Sequence, residues 1–274
     1  MNPVTFLDVG VPLRVASYNV HSLRDDRRAL AAVVRSLVPD VLILQEAPRR
    51  FRWRTKCARL AHAFGLYYAE GGLPSLGNLI LTNLRVRVVE SWSMRYPLTA
   101  GRHMRGAAFA RCLVPGAAPF VVAGSHLSTY DSERPGQAGL LLPALDAAAD
   151  PIILGIDLNE TEGGDSWKLL ATDLEDVGAG GAESLVAAPS LRAGRTDSLV
   201  AAPSLRAGRT ESLVAAPSLR AGRSATFPSG APDRRIDAVF IDKRIGVDRF
   251  GVVSTPEALR ASDHLPLVAD LILP

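Results

Sequence analysis

The chain has 274 residues, of which 47% are apolar and 22% charged, with a formal net charge of +3 and a pI near 9.1. That apolar content suffices for a sizeable buried core and excludes a wholly disordered or collagen-like chain, and no run reaches the ~20 apolar residues of a membrane helix. The basic balance does not belong to the body: a 14-residue unit, SLVAAPSLRAGRTD, is copied with almost no drift through Ser184–Arg223, where six arginines and two acids leave the other residues at −1.

The N-terminal MNPVTFLDVGVPLRV lacks the basic start and apolar run of a signal peptide. Two cysteines, Cys57 and Cys112, make neither a disulfide framework nor a metal site and read as core fillers in a reducing compartment. The expectation is a soluble, cytoplasmic, monomeric protein without a stable membrane anchor.

In chain order, Leu13–Val20 reads as a strand, and Leu30, Val33, Val34 and Leu37 recur at helical spacing behind the capping-type Asp25 and Asp26 until Pro39-Asp40 stops them. Val41–Leu44 is a short buried strand, and a second helix covers Trp53 to Phe64. Gly77–Thr82, Val86–Ser91, Gly106–Leu113 and Phe120–Gly124 follow as a β-rich meander, then a helix at Gln137–Ala147, the strand Pro151–Ile156 and a short helix at Ser166–Ala171. After the repeats, strands resume at Arg235–Ile241, Gly246–Ser254 and Leu267–Leu273. Strands alternating with helical segments favour a layered α/β fold, here two sheets face to face with helices outside, the parts before and after the repeats being β-rich halves of similar design.

A period of 14 is too short for a solenoid unit, and each copy carries Pro and Gly where an element would have to continue. Residues 184–223 are therefore expected to be a disordered loop inserted in a single domain of residues 13–274. Loop closure tolerates such a duplication at ~0.6 kcal/mol per doubling of length. The competing reading is a basic arm that tracks phosphates.

Information concentrates in polar residues at the ends of apolar strands. Asn19 closes VASYN, Gln45 and Glu46 close LILQE, His126 closes VVAGSH, and Asp157 and Asn159 close IILGIDLN. Asp237 opens a strand after Arg234-Arg235-Ile236, and Ser262-Asp263-His264 stands just before another. One such residue is ordinary turn chemistry, but six sites at one kind of boundary point to a shared site at a sheet edge. Hard oxygen donors (Glu46, Asp263, the amide of Asn19) without cysteine suit Mg²⁺ or Mn²⁺. Asp157 and Asn159, two apart on extended chain, point the same way, one to orient a water and one to hold a phosphate oxygen. His126 and His264 can donate to phosphoryl oxygens, and Asp237 can fix the tautomer of one of them. Together these groups describe in-line phosphoryl hydrolysis.

The series Asn19, Gln45-Glu46, His126, Asp157-Leu158-Asn159, Arg235-Ile236-Asp237 and Ser262-Asp263-His264, in that order, resembles the endonuclease/exonuclease/phosphatase superfamily, over about Leu13 to the C-terminus without the repeats. The resemblance implies a four-layer α-β-β-α sandwich of two packed mixed β-sheets and a divalent-metal-dependent phosphoesterase. By it, Glu46 would be the main metal ligand with Asn19 and Asp263 nearby. Asp157 would activate or orient water, and Asn159 would hold the phosphate. His264, paired with Asp237, and His126 would bracket the scissile phosphate. The pattern leaves open whether His264 or Asp157 takes the proton from water. It also departs at Arg102-His103-Met104-Arg105-Gly106, where many members carry a Glu that supports the first histidine, so His126 has no assigned carboxylate.

The substrate stays open among nucleic acid, phospholipid or sphingomyelin, and smaller phosphoesters. A nuclease needs a basic strip; the near-neutral body offers little beyond RRFRWR (Arg49–Arg54), a possible backbone contact or, with Phe51 and Trp53 inward, a solvated helix face. A reading from another class is a catalytically silent module that binds an acidic partner through the repeats.

Overall fold

In the computed structural model, residues 10–179 and 224–274 are described, and the 14-residue repeats lie outside them. The elements are β1 (Val11–Asn19), α1 (Arg27–Leu37), β2 (Val41–Gln45), α2 (Trp53–Phe64), β3 (Tyr67–Gly71), β4 (Leu79–Thr82), β5 (Arg87–Arg95), β6 (Gly106–Leu113), β7 (Phe120–His126), α3 (Arg134–Asp146), β8 (Ile152–Asp157), α4 (Asp165–Leu170), β9 (Glu175–Asp176), β10 (Asp237–Ile241), β11 (Gly246–Val252), α5 (Pro256–Ala261) and β12 (Leu267–Leu273).

They form two six-stranded mixed sheets, ordered β11-β12-β1-β2-β4-β3 and β5-β6-β7-β8-β10-β9. The expected division at the repeats is corrected: β11 and β12 join the sheet of β1–β4, while β10 joins that of β5–β8. Strand pairing across the sheet, which a linear reading of apolar runs does not contain, decides this.

Each sheet is built around one parallel pair. The pairs are β1–β2, linked by α1, and β7–β8, linked by α3. A helical crossover is how two neighbouring strands come to run the same way. α1 begins where Asp26 accepts the backbone N–H groups of Arg28 and Ala29, and its apolar stripe of Leu30, Val33, Val34 and Leu37 is buried. It stops at Val38, whose left-handed φ of 48° precedes Pro39.

α1, α2 and α5 share an apolar cluster with the first sheet and with the inward residues of the second, such as Phe120, Val122 and Ile153. α3 and α4 pack with the outward residues Phe109, Leu154 and Phe240 of the second sheet. Helix, sheet, sheet, helix is the resulting layer order. Three small elements had no expectation: β3, whose tyrosines are exposed, the two-residue β9, and α5, capped by Thr255. Among the described residues no helix is long and apolar enough to cross a membrane.

Gly124 and Gly155, adjacent across β7 and β8, lie close against the other sheet. A Cβ on Gly155 would stand 2.8 Å from Ser17 Oγ and 2.9 Å from Ile43 Cδ1, and one on Gly124 would stand 2.7 Å from Ile43 Cγ2. A branched side chain has no room there. Gly155→Val is therefore expected to lower the unfolding free energy by about 2–3 kcal/mol, as overpacking of a filled core does. Chemical denaturation checks this, and an unchanged midpoint would contradict the packing described.

Candidate active site at the strand-end edge

The parallel pairs align their chain-exit ends. Asn19 lies opposite Gln45, with Glu46 next, and His126 lies opposite Asp157. The antiparallel neighbours bring their starts to the same edge: Asp237 lies opposite Asp157, and β12 enters opposite Ser17 just after Asp263 and His264. All six sites read from the sequence thus share one edge of the sandwich.

Asp157 is the point of convergence. Its Oδ2 accepts from Asn19 Nδ2 at 2.8 Å, a bond that crosses from one sheet to the other, and lies 3.1 Å from His126 Nε2 and 3.9 Å from His264 Nε2. Its Oδ1 accepts the backbone N–H of Asn159 at 2.9 Å. Burial, then the neighbouring Asp237 carboxylate, raise the Asp157 pKa to about 7, against the opposing pull of His264 and of the Asn19 bond.

His264 Nδ1 stands 2.9 Å from Asp237 Oδ2, which also accepts from Thr226 Oγ1 at 2.5 Å. Burial alone would lower the His264 pKa, but Asp237 outweighs it, Asp157 and Asp263 add to the effect, and the result is about 10. Ser262 Oγ donates to the Asn19 carbonyl at 2.7 Å and receives His264 N–H at 3.3 Å, so the Asp263-His264 turn is fastened to the end of β1. Phe227 packs on the His264 ring at 4.9 Å between centroids.

His126 behaves oppositely. Its Nε2 contacts Asn159 Nδ2 at 2.8 Å, and that amide also donates to the Leu127 carbonyl at 3.1 Å. Burial, with Arg105 and His264 nearby, holds its pKa well below the usual 6.5. The missing upstream glutamate is resolved here: the carboxylate beside His126 is Asp157, while Glu70 accepts from Ser91 and Glu90 pairs with Arg111.

Glu46 and Asp263 line a cleft of about 830 Å³ above this floor, together with His21, His103, Arg105 and His126. Glu46 follows β2 in a left-handed conformation (φ 58°), and its Oε2 accepts from Ser22 Oγ at 2.7 Å. His21 sits between Asp25, at 2.7 Å from Nδ1, and Asp263, at 3.5 Å from Nε2. Asn19 Oδ1 accepts the His21 N–H at 3.0 Å.

Sequence reasoning missed several groups. Arg105 is buried, lines the cleft and leaves its Nε without a partner among the described residues; burial lowers its pKa, against the opposing pull of Asp157 and Glu46. Its signal was the Arg-Gly at the start of β6, read there only as a departure. His21, Ser22 and Thr226 gave no signal, since their roles come from neighbours far along the chain. Of the RRFRWR aromatics, Trp53 is buried as expected, but Phe51 is 81% exposed, because it lies on the turn before α2.

Buried ligand-type atoms of Asp157, Asp237 and His264 all lie within 4.8 Å of one another. These atoms are already engaged with one another, with Asn19 and with Thr226. Glu46 and Asp263, half-buried, present oxygen donors at the cleft, steadied by Ser22 and by His21 and Ser262 respectively.

Residues 16–264 match the model of the Endonuclease/Exonuclease/phosphatase family. No curated protein matches the chain. Among solved structures, an endonuclease/exonuclease/phosphatase from Beutenbergia cavernae DSM 12333 is 26% identical with a TM-score of 0.63, covering 96% of this chain and 72% of that one. The mannosyl-6-phosphatase Bt3783 of Bacteroides thetaiotaomicron VPI-5482 is similar at 17% identity and a TM-score of 0.68, covering 95% and 100%. D. rerio TDP2 complexed with single strand DNA product is similar at 17% and 0.62, covering 95% and 98%.

The depressed pKa of His126 has a testable sign. The stability tied to its neutral form is present above the unfolded value near 6.5 and is lost as pH falls below it. Histidine ring resonances followed by NMR should show His126 uncharged through that value; a midpoint at or above 6.5 would contradict its burial and surroundings.

Proposed function

The chain belongs to the endonuclease/exonuclease/phosphatase family, and from that premise we propose that it is a divalent-metal-dependent phosphoester hydrolase acting by in-line attack of water. The observation that carries the reading is the single carboxylate oxygen of Asp157, ringed by Asn19, His126 and His264 at 2.8, 3.1 and 3.9 Å.

Glu46 and Asp263 fit a hard cation: both are oxygen donors at the cleft, no thiolate is near, and Asn19 Oδ1 has a second lone pair beyond the His21 N–H. When bound, Mg²⁺ or Mn²⁺ would polarise a phosphoryl oxygen and neutralise developing charge. The chain's own groups divide the remaining work. A carboxylate with a pKa near 7 is a competent proton acceptor at neutral pH, so Asp157 is the better candidate to take the proton from water. His264, held protonated by Asp237, would donate to a non-bridging oxygen as negative charge grows there. His126 is neutral, and with the Asn159 amide it offers a hydrogen-bonding wall rather than a charge. Arg105 supplies a fixed cation on the same wall.

Activity on bis(p-nitrophenyl) phosphate is expected to vanish in EDTA and to return with Mg²⁺ or Mn²⁺. Asp157→Asn should lower kcat at least ~10²-fold with little change in KM, as loss of one proton-transfer group does. Metal-independent turnover, or a loss under about tenfold, would overturn these roles.

A further inference from the structure

The cleft that holds Glu46, Asp263 and His126 does not end at the strand edge. It continues across the helical layer, where Arg24 and Arg27 at the start of α1, Arg50 in the loop before α2, and Lys56 and Arg59 on α2 line it. All five are exposed, and among the described residues none has a carboxylate oxygen within 4.0 Å. Several arginines outside the cleft are paired: Arg14 with Asp270, Arg85 with Asp40, Arg111 with Asp150 and Arg235 with Asp176. Among the described residues the only oxygen hydrogen-bonded to a side chain of the five is the Leu23 carbonyl, which takes Arg27 Nε at 3.1 Å. Like charges gathered in one concavity repel one another and focus a positive potential there.

The shape narrows the ligand. Lys56, Arg59, Leu60 and Ala63 recur at helical spacing along one face of α2, so cations stand beside a floor formed by Leu60 and Phe64, both buried. Arg35 Nη1 donates to the Ala63 carbonyl at 2.7 Å and ties α1 to α2 at the far end. The groove strings five cations together and so matches a ligand with several phosphates in a row. It is recessed, whereas a bilayer surface meets protruding groups. A sugar monophosphate would leave most of the five charges unused.

We propose that this groove is a subsite for the backbone phosphates of a nucleic-acid strand whose scissile phosphate lies at the Asp157 edge. The inference rests on the phosphoesterase reading for what happens at that edge, but the groove itself is tested by binding. The near-neutral charge of the body does not reveal it, because a sum carries no positions: these five cations come from separate stretches of the chain that the fold brings to one cleft.

The test measures the Kd of a fluorescein-labelled, phosphorothioate-linked oligo-dT by anisotropy in Mg²⁺, for wild type, Lys56→Glu/Arg59→Glu, Arg24→Glu/Arg27→Glu and a distant control, Arg87→Glu/Lys243→Glu. Each groove pair should weaken binding at least about tenfold at 50 mM salt and flatten its dependence on salt up to 200 mM, since fewer counterions are released. The control should bind like wild type, and turnover of bis(p-nitrophenyl) phosphate, which carries one phosphate, should stay within about twofold for all four proteins. Groove variants that bind oligo-dT like wild type would overturn the proposal. So would phosphatidylserine vesicles whose binding is lost in those variants while oligo-dT binding is kept. Groove-dependent binding by a wild type that hydrolyses no phosphoester would refute the catalytic reading and leave the groove standing; hydrolysis without groove dependence would do the reverse.

Discussion

Parallel pairing of neighbouring strands is the constraint on which the rest depends. In an antiparallel pair, one strand's exit lies beside its neighbour's entrance; in β1–β2 and β7–β8 both exits lie at one edge. Two such pairs, one per sheet and facing each other, bring Asn19, Gln45-Glu46, His126 and Asp157 to one border of the sandwich. The antiparallel strands β10 and β12 then begin at that border and add Asp237 and His264. Gly124 and Gly155 let the sheets approach, and Asn19 spans the gap to Asp157 in a charge-assisted hydrogen bond. Gln45 adds a second crossing, from its Nε2 to the Gly155 carbonyl at 3.4 Å. Sheet packing and the site therefore share the same contacts.

The same edge keeps two histidines in opposite states. Both are buried, which disfavours charge on either. His264 has Asp237 at 2.9 Å on its inner nitrogen and holds its proton. His126 meets the Asn159 amide and stands near Arg105 and His264, so it does not. Asp157 lies between them, and burial beside Asp237 lifts its pKa into the range where a carboxylate can accept a proton at neutral pH. On the proposed reading, a cationic donor, a neutral wall and a raised carboxylate would be the complement needed around a phosphorus centre passing through added negative charge.

Much of this was legible in the sequence because strand ends are local events. The apolar runs ending in Asn19, Gln45-Glu46, His126 and Asp157 located the site residues to within a residue or two of the observed strand ends, and α2 spans the expected Trp53 to Phe64. What was not legible depends on pairing across the chain. The assignment of β10 to one sheet and of β11 and β12 to the other, the Asp157 neighbour of His126, and Thr226 beneath Asp237 all join segments far apart in sequence. The gathering of Arg24, Arg27, Lys56 and Arg59 beside Arg50 was not legible for a related reason: only the fold brings these stretches to one cleft.

The central claim is that Asp157 and His264 act as one unit on one step. A double-mutant cycle on kcat in saturating Mg²⁺, with Asp157→Asn, His264→Ala and the pair, tests it most directly. The account predicts that the double variant is about as slow as the slower single one, because either loss already disables the shared step. Losses that multiply, each acting in full in the absence of the other, would contradict it.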